Sequence, residues 1–211
     1  MLNLRRYQCG TSLVELMISM AIGLASLTAM ASLVGHGIGL NSQLLAKSRL
    51  DEEINAIAAL LVSDIKRAGY DANMIRLVSD PSLPVSPFAD SLLVSNYPSE
   101  VANSCVTFAY DRNQNGQLDT QNTNEHFGFR LKDKAIEMRI DGLACNAGGW
   151  HDLTDPNVVK VSKLQFSVQG HARHGINASR VKLLLEAELK HNGSISKRLT
   201  TSFMVKNHDP L

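Results

Sequence analysis

The chain has 211 residues, enough for one globular domain and a long extra helix, while two domains would stretch it. Its 21 Lys and Arg nearly balance 20 Asp and Glu, for a net charge of +1, and no basic block exceeds a pair (Arg5-Arg6, Lys66-Arg67, Lys197-Arg198). A face that tracks phosphates has no basis in this distribution, which excludes nucleic-acid binding.

The N-terminus is the most informative stretch. Arg5, Arg6 and Gly10 precede a long apolar run that has one carboxylate, Glu15, near its entrance, and residues 16–46 contain no Asp, Glu, Lys or Arg. A carboxylate at the edge of a lipid-spanning helix is costly and therefore points to function. An ordinary export signal keeps its apolar run free of charge. The competing reading is such a signal, with residues 16–28 as its apolar core and Ala29-Met30-Ala31 as a small-x-small cleavage site before Ser32. Against it stand Glu15 and the apolar character that continues past Ala31.

The block Gly10-Thr11-Ser12-Leu13-Val14-Glu15-Leu16 resembles the leader junction of type IV prepilins and pseudopilins. In that family a short basic leader ends in Gly, and the apolar start that follows has Glu as its fifth mature residue. The resemblance implies cleavage between Gly10 and Thr11 by prepilin peptidase and N-methylation of Thr11. It also implies that Glu15 docks against the N-terminus of a neighbouring subunit. Thr11 stands where the family commonly has Phe or Met.

Residues 13–40 are apolar and compatible with helix, and about 20 such residues span a bilayer core. The pattern then becomes amphipathic: Leu50, Ile54, Ile57, Leu61, Ile65 and Ala68 form one stripe of a helix. Gly69 is placed as the stop, with Lys66 and Arg67 in the last turn. No proline interrupts residues 11–68, so the expectation is a single helix of about 58 residues, roughly 85 Å long. Its parts are a membrane and assembly segment (11–40) and an amphipathic segment packed on a head (41–69). Gly35, Gly37 and Gly39 near the join each weaken the helix by about 1 kcal/mol relative to Ala. In pilins the corresponding part loosens during filament assembly.

Pro81, Pro84 and Pro87 mark an irregular connector. Strands are then expected at residues 92–97, 106–110, 126–131, 135–140, 158–168, 180–190 and 194–205. Lys132-Asp133-Lys134 reads as one hairpin turn and Asn192-Gly193 as another. The plan is α+β: a long N-terminal helix on an antiparallel sheet head spanning residues 70–211, with the helix stripe buried against one sheet face.

Removal of residues 1–10 would take Cys9 with it and leave Cys105 and Cys145, an even pair suited to one disulfide in an exported domain. Closing a loop of that length is worth about 4 kcal/mol in the chain-entropy picture. Two buried free thiols are the alternative.

Asp111, Asn113, Asn115, Gln117 (through its backbone carbonyl) and Asp119 have the spacing of a weak Ca²⁺ loop, with Gly116 at the sharp turn and Glu125 as a further carboxylate. A polar surface turn is the competing reading. His171 and His174 have metal-ligand spacing, but no acid or Cys completes the set. No nucleophile elbow, phosphate loop or Ser/His/Asp set is present in local context, so no enzymatic activity is expected.

Asp64-Ile65-Lys66-Arg67-Ala68-Gly69-Tyr70, Glu125-His126-Phe127-Gly128-Phe129-Arg130-Leu131 and the region around Cys145, Gly148-Gly149-Trp150 and Leu153 to Val159 are similar to minor pilins of the PilW kind. What this implies is a minor pilin made as a prepilin and held in a bacterial inner membrane with its head in the periplasm. It would then be assembled near the tip of a cell-surface pilus. The implied partners are prepilin peptidase, the inner-membrane assembly platform, and other minor and major pilins. A J-type pseudopilin of type II secretion shares this plan. The contrasting reading is a soluble periplasmic domain released by signal peptidase.

Overall fold

A computed structural model describes residues 12–73, 79–80, 82, 84–173 and 176–206, without the side chains of residues 171–177. The chain divides into two compact units, Met1–Ala46 and Lys47–Leu211. One helix, α1 (Leu13–Ile65), contributes to both.

In the first unit α1 continues unbroken through Gly35, Gly37 and Gly39. It contains a window long and apolar enough to cross a membrane, none of it buried within the protein. Four of its polar side chains turn back on the helix. Ser19 and Thr28 donate to the carbonyls of Leu16 and Ala25, and Ser26 to that of Ile22, each at 2.9 Å. His36 Nδ1 lies 2.8 Å from the Ser32 carbonyl. The surface they leave is mostly apolar, with Glu15, Asn41, Ser42 and Gln43 also exposed.

In the second unit α1 becomes one-sided. Leu50, Ile54, Ile57, Ala58, Leu61 and Ile65 are buried, as the amphipathic stripe requires, and Ala68 extends it. They join a core built from two antiparallel sheets. The first has the order β1 (Leu93–Ser95), β2 (Cys105–Ala109), β3 (His126–Lys132), β4 (Ala135–Met138) and β5 (His151–Asp152). The second has the order β6 (Val159–Arg173), β7 (Ile176–Leu189) and β8 (Asn192–Val205). Val106, Phe108, Phe129 and Leu131 of the first sheet share that core with Leu164, Phe166, Val181, Leu183 and Leu185 of the second. Burying one such side chain contributes about 1.5–3 kcal/mol, so the stripe is the main tie between helix and sheets.

The end of α1 is fixed by backbone bonds. Arg67 N and Ala68 N donate to the carbonyls of Asp64 and Ile65, tightening the last turn. Gly69 adopts φ +76°, a left-handed conformation that favours glycine. Its amide donates to Ala109 O and that of Asp111 to Tyr70 O, each at 2.9 Å. The chain leaving the helix is thus tied to the end of β2.

The strands differ from the sequence expectation in four respects, the first being that β6 and β7 stay paired out to Arg173 and Ile176, beyond the expected 158–168 and 180–190. The strands also divide into two sheets, where one was anticipated. The two-residue β5 is added, too short and polar to give an alternating pattern. The turn between β7 and β8 falls at Lys190-His191, and Asn192 begins β8 opposite Leu189. A register shift between Glu188 and Leu189 absorbs the extra residues, and Asn192 Oδ1 accepts bonds from the amide and hydroxyl of Ser194. At the other hairpin, Asp133 and Lys134 have φ +50° and +67°, the left-handed pair of a two-residue turn.

Candidate functional site

Glu15 stands in the first turn of α1, where Leu16 N donates to Ser12 O at 3.1 Å. A carboxylate there complements the positive end of the helix dipole. Its side chain is exposed, and it is the single Asp, Glu, Lys or Arg between Leu13 and Ala46. Gly10 and Thr11, the expected cleavage junction and methylation position, lie outside the described residues.

In the head, Asp111, Asn113, Asn115, Gln117 and Asp119 do come together, in a loop whose carboxylates face the loop's own donors. Buried Asp111 accepts from the amides of Ala72, Asn115 and Gly116 at 2.9–3.1 Å. Asp119 Oδ2 accepts from both Asn113 Nδ2 and Asn115 Nδ2, at 2.7 and 2.9 Å. Gln117 donates its amide to Asn115 Oδ1 at 2.7 Å. Glu125, also buried, accepts from the amides of Arg112, Asn113 and Asp119. Gly116 has φ +71°, and a Cβ there would lie 1.6 Å from Asn73 Nδ2. Backbone amides that would otherwise be orphaned are satisfied in this way. Ca²⁺ binding rests on the spacing alone. Of the H-x-x-H pair, His174 and the side chain of His171 lie outside the described residues.

The most constrained polar group of the head is Arg130. Register places Cys105, Arg130 and Glu137 in one row across β2, β3 and β4. Arg130 is fully buried; its Nε and Nη2 bind Glu137 Oε2 at 2.6 and 2.5 Å. Its Nη1 donates to the carbonyls of Cys145 and Ala147, both at 2.6 Å. Trp150 and Tyr97 flank the guanidinium, with ring centroids 4.4 and 5.0 Å away. Cys105 and Cys145 form a disulfide, which ties the same segment to β2. Arg139 adds bonds to the carbonyls of Leu143 and Gly142, at 2.7 Å each. The segment from Arg139 to Trp150 is therefore held over the first sheet by one covalent bond and a set of charge-assisted hydrogen bonds.

Burial shifts four titratable groups, lowering Arg139 among them. It raises Asp64, an effect that Arg67 and Arg112 partly oppose. It raises Glu53, with the charge of Asp155 adding to it. It lowers His126, assisted by the positive charge of Arg139 and opposed by Glu125. None of these adjoins Glu15, and among the described residues no group of three or more His, Cys, Asp or Glu could hold a metal ion.

The sequence model for the prepilin peptidase-dependent protein B family matches residues 43–205, the amphipathic part of α1 and nearly all of the head. This chain belongs to that family. A protein of Escherichia coli strain K12 described as prepilin peptidase-dependent protein B is 26% identical over 161 residues, covering 74% of this chain and 75% of the relative. A Haemophilus influenzae protein described as uncharacterized is 26% identical over 190 residues, covering 72% of this chain and 77% of that protein. No solved structure matches. Family membership makes the chain a pilin-related protein, in keeping with its single long apolar helix and antiparallel sheets.

The family match begins at residue 43, so it rests on the head and leaves Glu15 to the sequence motif. Within the family's matched span, sequence reasoning missed the role of Arg130. In β3 it alternates with Phe129 and Leu131 and so reads as solvent-facing. The signal that would have found it is hairpin register: a turn at Asp133-Lys134 sets Arg130 opposite Glu137.

Proposed function

We propose that this chain is a minor type IV pilin. It is processed after Gly10 by prepilin peptidase and anchored in the inner membrane by the apolar part of α1. It then takes part in starting or building a pilus near its tip. The observation that carries this reading is an apolar helical segment, residues 13–46, whose only carboxylate is Glu15, on a chain whose head belongs to a family named for dependence on that peptidase. Cleavage after Gly10 creates an ammonium group at Thr11. A carboxylate in a medium of low dielectric gains most from a partner of that kind. Intramolecular pairing would leave subunits without a mutual attraction, whereas pairing Glu15 with a neighbour's N-terminus supplies both docking and register.

The test is Glu15→Ala in cells together with N-terminal mass analysis of the membrane-held protein. The expected outcome is a peptidase-dependent N-terminus at Thr11, with or without a methyl group, and a loss of pili of about tenfold or more. Normal piliation would remove the docking role. An N-terminus at Ser32 would remove the pilin reading itself. A secretion defect with intact pili would assign the chain to a type II secretion pseudopilus instead.

A further inference from the structure

The second sheet turns one face to the core and the other to solvent, and charge is unevenly distributed on the solvent face. At one end, Glu186 stands in register between Lys163 and Arg198, and its Oε1 lies 3.1 Å from Arg198 Nε. Further along, Lys182 stands between Ser167 and Ser202, and Arg180 between Gln169 and Met204. Neither Arg180 nor Lys182 forms a salt bridge among the described residues, and both are exposed. Ser167, Gln169, Arg180, Lys182, Thr200 and Ser202 line a shallow groove of about 400 Å³ across all three strands.

We propose that this groove binds an acidic polysaccharide, with Arg180 and Lys182 holding its carboxylates and the hydroxyls of Ser167, Thr200 and Ser202 and the amide of Gln169 bonding its ring hydroxyls. Alternate residues of a strand are about 6.8 Å apart, so two cations on one face can meet carboxylates spaced along a chain, and not only a single ion. The unpaired positive charge selects an anion. No aromatic ring lines the groove to stack on a sugar face, so a neutral glycan would lack a strong contact. A protein partner of stable affinity needs buried aromatic or aliphatic anchors. A membrane surface needs more apolar or basic contact than this face has, since no large apolar side chain of β6 to β8 is exposed among the described residues. This inference does not depend on the pilin reading.

The experiment measures binding of the full chain in detergent to polygalacturonate, with dextran, polyglutamate and phosphatidylglycerol vesicles as comparators. The variants are the Arg180→Gln, Lys182→Gln double substitution and Lys134→Gln, which removes an exposed charge from the turn between β3 and β4. Melting of each variant is recorded alongside, because these exposed positions should leave the fold intact. The expected result is binding to polygalacturonate and not dextran, weakened about tenfold or more by the double substitution and little changed by Lys134→Gln. Absence of binding, equal loss in both variants, or binding to dextran would overturn the site. Tighter binding to polyglutamate would assign the groove to an acidic protein segment, and tighter binding to vesicles to a membrane. Either result would overturn the saccharide assignment.

Discussion

Ser19, Ser26 and Thr28 in the apolar part of α1 bond to carbonyls three or four residues earlier, whereas Arg130 in the head reaches carbonyls 15 and 17 residues along the chain. The first region satisfies these hydroxyls locally and exposes a largely apolar surface, compatible with a lipid solvent. The second satisfies this guanidinium across the fold and places its apolar side chains in one core. One helix thus carries two kinds of surface, and the change is visible where Leu50 begins the buried stripe. The head, by contrast, depends on groups distant in sequence.

The sharpest way to break this contrast is at Arg130. Arg130→Ala would leave Glu137 buried without its main partner and free two carbonyls, so the head should lose about 3–5 kcal/mol, read as a fall in melting temperature of the full chain in detergent. A loss below 1 kcal/mol would mean that the disulfide alone holds the segment.

A matched pair of leucines comes next. Leu61→Ala, in the buried stripe, should cost about 2–5 kcal/mol, whereas Leu24→Ala, at 65% exposure, should leave the head's melting unchanged within about 0.5 kcal/mol. Equal effects from the two would show that the regions are not energetically separate.

The smallest expected effect is on pH dependence. His126 has its pKa lowered by burial, so it favours the neutral form when folded. Stability from this group is therefore fully present above its ordinary value of 6.5 and falls as pH drops from there toward the lowered value. His126→Asn should flatten the melting curve against pH in that window, and an unchanged slope would assign the dependence to other groups.

Much of this architecture is legible in the sequence where a periodic pattern governs. The stripe from Leu50 to Ala68 and the turn at Asp133-Lys134 follow from side-chain spacing and turn chemistry. Asn192-Gly193 misleads because it is favoured in a tight turn, yet a register shift places the turn two residues earlier. Division into two sheets is a tertiary outcome that no local pattern records. Arg130 is hidden for the same reason: its burial is created by a segment that folds back from 15 residues further on. For the candidate site, Glu15 is legible because a charge in an apolar run needs no tertiary information to stand out. The groove at Arg180 and Lys182 requires knowledge of which strands are neighbours.

The disulfide between Cys105 and Cys145 encloses the exposed part of the loop that follows Asp111. A protease that nicks the chain at Asn113 to Asn122 would therefore release no fragment, because both pieces stay joined through sulfur. Such a molecule would migrate as one band without reductant and as two with it.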